Sequence, residues 1–155
     1  MKSVKPGKNS GRQNLRLILD SNEYIFALGA IRDPDCEKLL EEIAKHSDKL
    51  SIRIPRLIVE EVRNNLTSEA FKEFMLFINT LSKIDEDYEV PFELGAKYEA
   101  KGLKTADAFI AAFTEWTGSD VLISENRHFL FRQTNLPFKI VNADNCLKLI
   151  KASLR

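Results

Sequence analysis

Five side chains able to hold a hard cation lie far apart along the chain: Asp20, Glu61, Asp107, Ser124 and Asn126. Three are carboxylates. Gathered at one place they would repel one another, and a divalent cation removes that cost. Oxygen donors that leave room for several waters suit magnesium or manganese. With such an ion, the chemistry is metal-assisted hydrolysis of a phosphodiester, one carboxylate orienting the attacking water. Each acid also has a plainer reading by itself. Asp20 suits a helix cap, Asp107 a first-turn partner of the helix dipole, and Glu61 an ordinary surface position. The joint arrangement is what points to a site.

That arrangement depends on the elements around it. Leu15 to Leu19 is a buried strand ending at Asp20, followed by a helix over about Asn22 to Ile31 with Ile25 and Leu28 inward. Asp33 and Pro34 start a second helix with a stripe of Leu39, Leu40, Ile43 and Ala44. Leu50, Ile52 and Ile54 alternate as a strand closed by Pro55. A third helix, about Arg56 to Leu66, buries Ile58, Val62 and Leu66; Glu60 falls opposite that line and Glu61 at its margin.

Ser68 to Leu81 is helical with a phenylalanine-rich core face, Tyr88 to Val90 reads as a short strand, and Phe92 to Lys101 as a helix stopped by Gly102. The next helix is capped by Thr105, carries Asp107 in its first turn and ends at Gly118. Val121 to Ile123 is then a buried strand with Ser124, Glu125 and Asn126 at its carboxyl end. Lys139 to Val141 is the last strand and Ala143 to Leu154 the closing helix. Strands alternating with helices predict an α/β domain with a parallel sheet, whose ligands collect beyond the carboxyl ends of the strands.

Composition agrees with one domain over 15–155, at 44% hydrophobic and 30% charged residues. The zero net charge hides an asymmetry. Lys2, Lys5, Lys8, Arg12 and Arg16 precede the first acid, so 1–14 reads as a flexible basic arm, either solvated or touching a polyanion. No stretch approaches the roughly 20 apolar residues of a membrane span, and no apolar signal segment follows the N-terminal lysines. Cys36 and Cys146 lack metal or redox spacing and read as reduced, buried thiols of a cytoplasmic protein.

The motifs LILDSN, IPRLIVEEV, TADAFIAA and VLISENRHF, in that order over about 15–150, resemble the PIN domain, including toxin ribonucleases of VapC type. The resemblance implies a three-layer α/β/α fold with a twisted parallel sheet of about five strands. It also implies a magnesium- or manganese-dependent endoribonuclease preferring single-stranded RNA, often a homodimer and sometimes one half of a toxin–antitoxin pair. By position, Asp20, Glu61 and Asp107 match the metal-binding acids, Ser124 the hydroxyl position and Asn126 the fourth site position.

Aspartate is usual where Asn126 stands, and the change lowers the cluster from four negative charges to three. An alternative therefore stays open: a PIN-like RNA-binding or protein-interaction module with weakened catalysis. Glu125, in an extended segment, points away from Ser124 and Asn126. Lys104, Arg127, Arg132 and Arg63 are candidates to hold the RNA backbone. Phe129 and Phe131 are candidates to stack bases. His128 and His46 read as structural or exposed residues.

Overall fold

The central strand, β1 (Leu15–Leu19), is apolar apart from Arg16 and takes neighbours on both sides. The computed structural model describes residues 14–126 and 135–154. Within them five strands form an all-parallel sheet of order β3-β2-β1-β4-β5, with β2 at Leu50–Pro55, β3 at Ile84–Asp85, β4 at Val121–Ile123 and β5 at Lys139–Val141. Leu17, Ile18, Leu19, Leu122 and Ile123 are fully buried, as expected of parallel strands covered on both faces.

Seven helices are described: α1 (Ser21–Leu28), α2 (Pro34–Lys45), α3 (Arg56–Asn65), α4 (Ser68–Leu81), α5 (Phe92–Ala100), α6 (Thr105–Thr117) and α7 (Ala143–Ser153). Helices α1, α2, α3, α4 and α7 pack as one connected group, and α5 packs on α6. The result is the three-layer α/β arrangement expected. No helix among the described residues is long and apolar enough to cross a membrane.

Several local expectations are corrected. Tyr88 to Val90 is not a strand: Asp87–Glu89 forms a 3₁₀ turn and Tyr88 is exposed. The Asp87 carboxylate accepts from Leu57 N–H at 3.0 Å, which serves the open start of α3, and Ile84–Asp85 pairs with β2 instead. Helix α1 stops at Leu28, leaving Ile31 exposed, and its fully buried face is Glu23, Tyr24 and Ala27, with Ile25 and Leu28 half-buried. Ala44 is exposed, and Cys36, one turn before Leu39 and Leu40, takes its place on the buried stripe of α2. Thr105 is the first residue of α6 rather than its cap. Gly118 does end that helix, in the left-handed conformation at φ 69°.

A part-buried ion pair ties β2 to β3. Arg53 donates to both Asp85 oxygens, at 3.0 and 2.8 Å, and its guanidinium lies over the Trp116 ring of α6. The basic arm expected over 1–14 lies, apart from Asn14, outside the described residues, as do Arg127, His128, Phe129, Phe131 and Arg132.

Candidate functional site

The register of β1 with β4 pairs Leu19 with Ile123, so the residues that follow them, Asp20 and Ser124, leave the sheet side by side. Asp20 N–H donates to the Ile123 carbonyl at 2.9 Å, extending the pairing by one step. β1 goes on to β2 on one side of the sheet, while β4 lies on the other, which makes this the point where ligands of open α/β sheets bind.

Hydrogen bonds link the side chains there into a chain. The Asp20 carboxylate caps α1 by accepting from Ser21 N–H at 2.8 Å, and its other oxygen accepts from the Ser124 hydroxyl at 2.9 Å. Ser124 Oγ in turn accepts from Asn126 N–H at 3.0 Å. The Asn126 amide reaches Asp107 at 3.4 Å, in the first turn of α6. Asp20 therefore holds the capping role considered from sequence and also begins the hydrogen-bonded chain that ends at Asp107.

Glu61 completes the group from α3. Glu60 is exposed and Glu61 half-buried, as the helical angle predicts. Ser21, Asp20 and Asp107 all act on the Glu61 carboxyl. Burial pushes the Asp20 carboxyl above its ordinary range, the Ser124 and Ser21 hydrogen bonds oppose that, and the Asp107 charge adds to it. Glu61 is raised for the same first reason, with Ser21 opposing and the Asp20 and Asp107 charges adding. Among the described residues, no lysine or arginine forms an ion pair with Asp20, Glu61 or Asp107. A half-buried set of oxygen donors in which the Asp20 and Glu61 carboxyls are raised by burial and by neighbouring carboxylate charge fits a hard divalent cation.

Asp20, Glu61 and Asp107 do not bring their donor atoms within 4.8 Å of one another; among the described residues a different group does. One donor atom each from Glu23, Cys36 and Glu125 lie within 4.8 Å of one another. Glu125 does face away from Ser124 and Asn126: its carboxylate accepts from Ala143 N–H at 3.0 Å, at the start of α7. Glu23 was not legible as a site residue, because a glutamate beside Tyr24 on a short helix carries no periodic signal. The phase of Tyr24 and Ala27, one turn apart, would have turned it inward.

Of the basic residues, Lys104 is exposed at the N-terminus of α6, three positions before Asp107. Arg63 is engaged elsewhere, 3.6 Å from Glu60 and over the Phe71 ring. His46 lies 3.5 Å from Glu42 on α2, away from these carboxylates.

No protein-family description matches the sequence, and no curated protein matches it. Solved structures do. The chain is similar to a chain in the crystal structure of VapBC2 from Rickettsia felis bound to a DNA fragment from their promoter, at 19% identity and a TM-score of 0.57, over 82% of this chain and 98% of that one. It is also similar to PAE2754 from Pyrobaculum aerophilum, at 21% identity and a TM-score of 0.59, over 90% and 96% of the two chains. The fold is PIN-like. The likeness spans nearly the whole of both solved chains.

Proposed function

We propose that this protein is a divalent-cation-dependent ribonuclease that hydrolyses phosphodiester bonds of single-stranded RNA. The carrying observation is the hydrogen-bonded chain from Asp20 through Ser124 and Asn126 to Asp107 at the carboxyl ends of β1 and β4, with Glu61 near enough to feel the charges of Asp20 and Asp107. Magnesium or manganese, held by these three acids and the Asn126 carbonyl, would polarise the phosphate and activate water. Ser124 fixes one Asp20 oxygen, and Asn126 orients Asp107. Lys104 approaches the RNA backbone from the rim, where a cation offsets the acidic floor. The likeness to VapBC2 supports a toxin role with an antitoxin partner, and homodimerisation accords with the same reading. The free, buried Cys36 and Cys146 suit a reducing cytoplasm.

A labelled single-stranded RNA incubated with manganese is the test. The protein is expected to release products with 5′-phosphate and 3′-hydroxyl ends. Asp107→Asn is expected to lose more than the roughly 10–100-fold that outer partners of a metal carry. Asn126, where the fold's relatives usually carry aspartate, favours a second reading, a non-catalytic PIN-like module. Manganese binding without cleavage of any of several RNAs would establish that reading instead.

A further inference from the structure

One group of potential ligands has no part in the nuclease reading. Glu23 of α1, Cys36 of α2 and Glu125 at the exit of β4 each bring a donor atom within 4.8 Å of the other two. Glu23 and Cys36 are fully buried, and Glu125 is half-buried. Acids that merely lie close together make no site, but a second observation points to a ligand. Oε2 of Glu23 is enclosed and has no hydrogen-bond donor among the described residues. The group it faces is Glu125, another acceptor. A buried oxygen set among acceptors is costly unless something positive meets it.

The donor set is mixed, which selects the ion. Sulfur is a soft ligand, so a thiolate beside two carboxylates suits zinc, whereas magnesium and manganese prefer oxygen alone. Zn–S of about 2.3 Å and Zn–O of about 2.0 Å at a tetrahedral angle set sulfur and oxygen about 3.5 Å apart. Cys36 Sγ stands 3.5 Å from Oε1 of Glu23, joined to it in the metal-free protein by a thiol hydrogen bond of the same length. The ion therefore takes the place of the thiol proton with little movement. Glu125 is already oriented, accepting from Ala143 N–H at 3.0 Å. A second sulfur borders the group: the charge of Glu23 acts on the buried Cys146 thiol of α7 as it does on Cys36. Both cysteines of the chain thus fall around one carboxylate, although their positions in sequence form no metal motif.

We propose that Glu23, Cys36 and Glu125 form a zinc site that staples α1 and α2 to the exit of β4. Binding releases to solvent the Cys36 thiol proton and the proton that a metal-free Glu23 carries, with no change of oxidation state. The site is distinct from the manganese position at Asp20, Glu61 and Asp107, and it stands or falls independently of the nuclease reading.

The full chain, stripped with a chelator and then supplied with excess manganese, is titrated with cobalt(II). Cobalt takes zinc's place and shows a near-ultraviolet charge-transfer band when a thiolate binds it. One cobalt per chain is expected to raise that band, and one zinc to abolish it. Cys36→Ala is expected to lose the band. Glu23→Gln and Glu125→Gln are each expected to weaken zinc binding by more than about tenfold, read by competition with a coloured chelator. Zinc is also expected to raise the melting temperature of the wild type well above its effect on Cys36→Ala. Metal-free melts establish that each variant is folded, and the half-buried Glu125→Gln carries the test if Cys36→Ala does not fold. No thiolate band in the wild type, a band that survives in Cys36→Ala, or zinc affinity unchanged in both glutamine variants overturns the proposal. Wild-type protein that shows the band and cleaves no RNA overturns the nuclease reading alone.

Discussion

Glu23→Gln is expected to stabilise the protein at neutral pH, and the gain can be worked out in advance. The Glu23 carboxyl has an ordinary value of 4.5 and is pushed up to about 10 by burial and by Glu125. At pH 7 the unfolded chain carries a carboxylate there and the native chain an acid, so folding must take up a proton. A group raised on folding gives its full stabilisation below its unfolded value and loses it as pH rises toward the folded one. The loss runs at about 1.4 kcal/mol per pH unit, so over the roughly 2.5 units from 4.5 to 7 it reaches about 3 kcal/mol.

Glutamine can still accept from the Cys36 thiol and takes up no proton. Urea unfolding of the two proteins without metal, measured from pH 4.5 to 7.5, is expected to give a difference near zero at the acid end and about 3 kcal/mol in favour of Glu23→Gln at pH 7. That is a midpoint shift of roughly 1–2 M urea. Titrating groups remote from Glu23 cancel in the difference. A pH-independent difference, or a variant less stable throughout, refutes the claim that native Glu23 is neutral.

Four further outcomes follow from the same geometry. Because Asp20 and Glu61 are raised from 3.8 and 4.5, the metal-free protein is expected to lose stability as pH climbs from about 4 through their native values; manganese at a fixed concentration about 100 times its pH 7 dissociation constant adds about 2.7 kcal/mol at pH 7 and less at pH 5, read as the rise in melting temperature. Ser124→Ala removes the hydroxyl bound to Asp20 and is expected to lower cleavage about tenfold with the fold intact by circular dichroism. Asn126→Asp places a carboxylate where an amide now reaches Asp107, so melting is expected to fall without manganese and to recover with it. Arg53→Met leaves Asp85 buried without its bidentate partner and is expected to cost about 2 kcal/mol in urea unfolding, less than a fully enclosed pair because the arginine is part-exposed.

What the sequence made legible follows physical period. The strand Leu15–Leu19 with Asp20 at its end, the helix Thr105–Thr117 stopped by Gly118, and the outward turn of Glu60 against Glu61 all come from alternation, helical angle and a left-handed glycine. Tyr88 misled because aromatic β-formers suggest a strand, whereas the local chain is held by Asp87 capping a helix about 30 residues earlier. That is a tertiary bond with no local signature. Glu23 was hidden for the same reason: its partners, Cys36 and Glu125, are supplied by α2 and by the exit of β4. The hydroxyl bridge from Ser124 to Asp20 spans 104 positions and needs the β1–β4 register to exist.

The nuclease account is tested most directly by locating the cation. A crystal of the protein soaked in manganese, with data collected to show its anomalous scattering, is expected to place one ion against Asp20, Glu61 and Asp107 together. An ion seated instead between Glu23, Cys36 and Glu125, or none at the carboxyl ends of β1 and β4, would contradict it.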